Sequence, residues 1–222
     1  MVGTLPSGKR MKTRVVRSGG KLEGQFSGEA ELINKYLHET SRKSVNTPKV
    51  FSFTWMKQQN MSTVRSLLKE QRLKRFIKQI GNLYPNLVKV FYTNLKFDGD
   101  SLVFHVKGIK MVITNDVWAV VDGLKFSGLR INRGNLGIVE EFNKMQFYKN
   151  CLKNPLSKVR NFSVGGLKLD ERVIAFIVSW IITPRGRNHS TLSEEDLMLI
   201  YCIINKVKIN MKHEVVQLLV WV

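Results

Sequence analysis

The feature that most constrains this 222-residue chain is the run at 173–182, Val-Ile-Ala-Phe-Ile-Val-Ser-Trp-Ile-Ile, which is apolar on nearly every side. A helix without a polar face is buried all round or lies in a membrane. Ten residues reach only about 15 Å at the helical rise, roughly half a bilayer core. Arg172 and Arg185 close off any extension. The run is therefore expected to be a core helix, with Phe176 and Trp180, and Ile200 further on, deeply buried. On that basis Phe176→Ala is expected to cost about 3–5 kcal/mol.

The stretch 168–221 is organised around this run. Pro184 ends the helix, because proline disfavours helical geometry in the residue before it. Residues 184–190 are turn chemistry carrying Arg185 and Arg187. Thr191 and Glu194 match a capping box, and Glu194, Glu195 and Asp196 suit the positive end of a helix dipole. A second buried helix is expected over 197–204. Asn210 is placed to cap a third, with Val215, Val216, Leu218 and Leu219 as its apolar side. The apolar run is still in progress at Val222, which suggests a copy truncated at its C-terminal end.

Upstream, the pattern predicts a short helix over 29–39 with Leu32, Ile33, Tyr36 and Leu37 on one side. Residues 50–55 alternate like a strand. In 62–80, Leu73, Phe76, Ile77, Ile80 and Tyr84 share one helical face. Leu67 and Leu68 are out of phase with that stripe, so a break is expected near Glu70. Pro85 suits the first turn of another helix, lined by Leu87, Val88, Phe91 and Leu95. Residues 102–113 read as a β-hairpin turning at Gly108. Thr114 or Asn115 caps a short helix that stops near Gly123. A further helix spans 140–151, with Phe142, Met145 and Phe147 inward. The fold class expected is mainly α with one small β-hairpin (α+β). Its parts would be a disordered basic arm at 1–28, a short helix and linker at 29–61, and a helical domain at 62–222.

Charge narrows the choice of partners. The chain has 36 Lys+Arg against 17 Asp+Glu, a net +19, with 43% hydrophobic residues supplying a core. Residues 1–81 hold 17 basic and 5 acidic side chains, hence +12 of that total. Such an excess bears on partners and solubility rather than on fold. Nucleic acid is the commonest polyanion, and an anionic membrane surface comes next. The candidate phosphate contacts are Lys9, Arg10, Lys12, Arg14 and Arg17 in the arm, and Arg72, Lys74, Arg75 and Lys78 on the basic helix. A helix of that kind can lie on a phosphate backbone or a membrane, or simply turn a solvated face outward. There is no apolar signal segment near the N-terminus and no run long enough to span a membrane. An intracellular site, nucleus or cytoplasm, is expected.

Catalytic chemistry finds little footing. Cys151 and Cys202 form no metal spacing, and His38, His105, His189 and His213 are scattered. His189 and Ser190 are neighbours in a loop with no third orienting group. A polynucleotidyl transferase needs carboxylates converging on divalent metal. Asp98, Asp100, Asp116, Asp122, Glu140 and Glu141 each have a local explanation as turn, cap or dipole partner. No phosphate-loop, nucleophile-elbow or dinucleotide motif occurs. The residues point to a non-enzymatic chain with no catalytic residues, metal or cofactor.

Four segments recur in a familiar order: Phe91-Tyr-Thr-Asn-Leu95, Val103-Phe-His-Val-Lys-Gly-Ile-Lys-Met-Val112, Ile182-Thr-Pro-Arg-Gly-Arg-Asn-His-Ser190 and Lys206-Val-Lys-Ile-Asn210. Over roughly 73–222 this resembles the plant transposon protein domain of envelope-like or accessory reading frames in gypsy-class retrotransposons. The resemblance implies an element-encoded protein and carries over no catalytic residues. It fits a basic binding protein for nucleic acid or protein partners. A remnant or accessory transposition enzyme of nuclease or integrase type is the alternative, and the missing acidic constellation speaks against it. An envelope-like structural protein is a third.

Overall fold

A computed structural model describes residues 30–45, 47, 49–79, 81–121, 123–124, 127–131, 142–184 and 188–220. The expected arm at 1–28 lies outside them. In chain order the elements are α1 (Ala30–Lys35), α2 (Phe53–Gln58), α3 (Ser62–Glu70), α4 (Leu73–Ile77), α5 (Pro85–Asn94), β1 (Lys96–Asp98), β2 (Ser101–Val106), β3 (Ile109–Ile113), α6 (Asn115–Val121), α7 (Lys144–Cys151), α8 (Leu169–Ile177), α9 (Glu194–Ile204) and α10 (Met211–Val220). The chain is mainly helical with one small antiparallel sheet, as its patterning leads one to expect. It divides into two compact units, Met1–Val50 with Ile80–Val112, and Phe51–Gln79 with Ile113–Val222.

In the first unit α1 runs into a π-helical turn, Tyr36–Thr40. Tyr36 and Val90 form a small core, with Leu32 and Ile33 packed on it, while Leu37, expected inward, is exposed. Pro85 opens α5 as predicted, but its buried side is Val90, Thr93 and Asn94. Leu87, Val88, Phe91 and Leu95 are half-buried. The reason is Asn94. Its carboxamide donates to the His105 carbonyl at 3.0 Å and accepts the His105 N–H at 2.6 Å, as a neighbouring strand would. That pairing rotates α5 onto β2. The sheet has order β1-β2-β3, so the expected hairpin gains a third strand. Lys107 and Gly108 turn it, both at positive φ.

The second unit is built on α3, α8 and α9, which pack on one another. Leu68, Ile174, Ile177, Leu197, Met198 and Ile203 fill its centre. The apolar run at 173–182 is α8 continued by a π-helical segment, Val178–Ile182. Both the backbone N–H and the hydroxyl of Thr183 donate to the Val178 carbonyl, closing the wide turn before Pro184. Ile200 is buried as expected; Phe176 and Trp180 are only half-buried. Their rings pack on Phe51, on each other and on His189 rather than into the centre of the unit.

Three local expectations move. Residues 50–55 do not form a strand. The Ser52 hydroxyl accepts the Trp55 N–H at 3.2 Å and starts α2, which Met56 anchors in the core. The capping box of α9 is Ser193 with Asp196, not Thr191 with Glu194. Thr191 is still extended, bridged to Ser163. Asn210 caps α10 as predicted, its side chain accepting the His213 N–H at 3.1 Å. Helix α7 starts at Lys144, capped by Asn143, and buries Tyr148 and Cys151 while Met145 stays exposed. Gly128 is sterically required: a Cβ there would sit 2.7 Å from the Lys208 carbonyl oxygen, at φ +121°.

Candidate nucleic-acid interface

The break expected near Glu70 is real and is what shapes the site. Arg72 adopts a left-handed conformation, φ 60°, between α3 and α4. The Gln71 carboxamide holds the turn by donating to the Cys202 and Val207 carbonyls, at 3.2 and 2.8 Å. Leu73 and Ile77 then pull the inner side of α4 into the core. Arg72, Arg75 and Lys78, three residues apart, are left exposed on the other side, with Lys74 half-buried. The amphipathic stripe therefore ends at Ile77. Phe76 is half-buried, Ile80 is outside the described residues, and Tyr84 precedes α5 in the other unit.

Arg72, Lys74, Arg75, Lys78, Gln79 and Gly123 line an open concavity of about 500 Å³, built mostly from carbon. Lysine and arginine commonly lay their stems on a surface and keep the charge in water. Arg75 does so against Gly123, where an added Cβ would come within 3.3 Å of Arg75 Cδ. Gln79 ties the lip to α6 by donating to the Val121 carbonyl at 3.3 Å. None of the six lining residues is acidic. Asp122, next in sequence to Gly123, lies outside the described residues. The side chains of Arg72, Lys74 and Arg75 have no ion-pair or hydrogen-bond partner among the described residues. Glu70 is turned to Lys206, at 3.4 Å. Cationic heads gathered on one concave surface raise the local positive potential and attract phosphate.

Compared with known proteins, the chain matches no family model, no curated protein and no solved structure. The site must speak through its own chemistry.

The structure thus brings four of the nine sequence-derived candidates, Arg72, Lys74, Arg75 and Lys78, to one surface. Lys9, Arg10, Lys12, Arg14 and Arg17 lie outside the described residues. Sequence reasoning missed the aromatic row that adjoins the concavity. Lys78 Nζ lies 5.6 Å from the centre of the Phe53 ring, within cation–π range. Phe53 meets Phe51 edge-on at 6.0 Å, and Phe51 in turn meets Trp55 at 6.2 Å and Phe176 at 6.1 Å. Phe176 reaches Trp180 at 6.1 Å, and His189 stacks flat on Trp180, 3.4 Å away and 14° from parallel. All six rings are half-buried. The signal is present as Phe51, Phe53 and Trp55 at alternate positions, but such alternation predicts a strand.

The remaining chemistry is sparse. Ser190 Oγ donates to Asn188 Oδ1 at 3.2 Å, while His189 lies on Trp180. Among the described residues no group of three or more His, Cys, Asp or Glu could hold a metal ion. Burial pushes the Cys151 and Cys202 thiols up to about 12, so both behave as small core residues. No helix of the described residues is long and apolar enough to cross a membrane. A second concavity of about 320 Å³, among α7, α8 and α9, has Glu171 and no Lys or Arg in its lining, so it offers phosphate nothing.

Proposed function

We propose that this chain is a non-enzymatic basic binding protein that holds the phosphates of nucleic acid at Arg72, Lys74, Arg75 and Lys78, inside the cell. The observation that carries this is the concavity itself, which has four cationic residues and no acidic one in its lining. None of the described carboxylates forms an ion pair with any of the four. Residues 1–28 carry further cations in the same half of the sequence. An origin in a plant gypsy-class retrotransposon fits the motif order and is part of the same proposal.

Phosphate contacts release counterions, so log affinity falls linearly with log salt, by about 0.9 for each phosphate neutralised. The test is a salt titration of binding to labelled oligonucleotides. Replacing Arg72, Arg75 and Lys78 together by Ala should flatten the slope by up to about 2.7. Sequence preference should stay slight, since phosphate contacts carry no base information. A slope unchanged by the triple substitution would refute the assignment of this surface.

A further inference from the structure

The aromatic row suggests which form of nucleic acid the surface takes. We infer that it binds a single strand, with phosphates in the Arg72–Lys78 concavity and unstacked bases against the ring row that begins at Phe53. This rests on the nucleic-acid reading above and narrows it. The link is Lys78, which both lines the concavity and sits over Phe53. A groove that tracks the backbone beside rings that accept bases is the general design of single-strand binding.

Three features of the row favour a single strand over a duplex. From Phe53 through Phe51 and Phe176 to Trp180 the rings are spaced close to 6 Å, while duplex bases rise about 3.4 Å along each strand, so stacked pairs do not match successive rings. Phe51 meets Phe53 and Trp55 edge to face, so neither pair is stacked ring on ring. The Trp180 face also demonstrably accepts a flat heteroaromatic ring, because the His189 imidazole lies on it in stacking geometry. A base inside a duplex keeps its own faces covered by its neighbours. A splayed single strand offers them, and stacking of this kind tolerates any base.

The experiment uses the full chain with fluorescein-labelled oligothymidylate, oligouridylate and a duplex of equal length, followed by anisotropy across a salt titration and compared at matched salt. Single strands should bind at least about 10-fold more tightly than duplex, and should quench tryptophan fluorescence where duplex does not. Trp55→Leu should weaken single-strand binding by about 5- to 100-fold and leave the salt slope unchanged, whereas Trp55→Phe should keep most of the affinity. A leucine variant that binds as well as the phenylalanine variant would overturn the stacking role. Quenching in the parent tests the same role even if a variant fails to fold. Equal binding of duplex and single strand, with a slope that still depends on Arg72, Arg75 and Lys78, would sink this inference alone. Absence of binding to every probe at low salt would sink it together with the proposed function.

Discussion

Glu214 should make the second unit less stable as pH rises, and Glu214→Gln should remove that dependence. The residue is 7% exposed on α10, and its Oε1 accepts the Ile131 backbone N–H at 2.9 Å. Burial raises its pKa from 4.5 to about 7, with that hydrogen bond pulling the other way. A value higher in the folded than in the unfolded chain means that folding takes up a proton between those limits. The stabilisation is then complete below about pH 4.5 and is lost as pH rises through about 7. At 1.36 kcal/mol for each decade, the gap sets a ceiling of about 3 kcal/mol. Glutamine keeps the carbonyl oxygen that Ile131 needs and cannot ionise. Urea unfolding followed by circular dichroism at pH 4.5, 6, 7 and 8.5 should show parent and variant converging at the acid end. The variant should be more stable by up to about 3 kcal/mol at the alkaline end. Groups common to parent and variant drop out of the difference. Cys202, the nearby thiol held at about 12, stays protonated throughout. A difference that does not change with pH would refute the reasoning.

Two further outcomes test the packing. Gly128→Ala should lower stability by about 1–3 kcal/mol or more, since φ +121° is strained for alanine and the clash is with the backbone of 208–209, which cannot rotate away. Thermal unfolding of the variant would check it, and an unchanged melting temperature would mean that the 128–131 segment does not pack as described. Ile174→Ala should cost about 2–5 kcal/mol, as in a closed core, while Phe176→Ala should cost less than the 3–5 kcal/mol of a fully buried ring. Equal or reversed losses in denaturant titrations would put Phe176 back at the centre of the fold.

Much of the architecture was legible in local chemistry. The run at 173–182 pointed to a helix with a buried face, Pro184 to its end, Asn210 to a cap, and the phase slip between Leu68 and Leu73 to a break. Each of these depends on neighbours within a turn or two, and helical propensity, capping and backbone sterics act over that range. The cationic residues of the candidate site were legible for the same reason, because the apolar positions Leu73 and Ile77 dictate which side of α4 faces water. Tertiary structure decided what depends on partners far away in sequence. Alternation at 50–55 is compatible with a strand only if another strand is there to pair with. Among the described residues none arrives, and Ser52 caps a helix instead. Phe176 and Trp180 look like core in a sequence window, yet their burial depends on whether a layer lies outside α8. The contact of Phe176 with Phe51, more than a hundred positions away, and of Trp180 with Phe176 turns separate local patterns into one aromatic row. Sequence sets which side chains are apolar, charged or capping. Only the closing of the chain, which brings remote segments within a few ångströms, decides which of them meet.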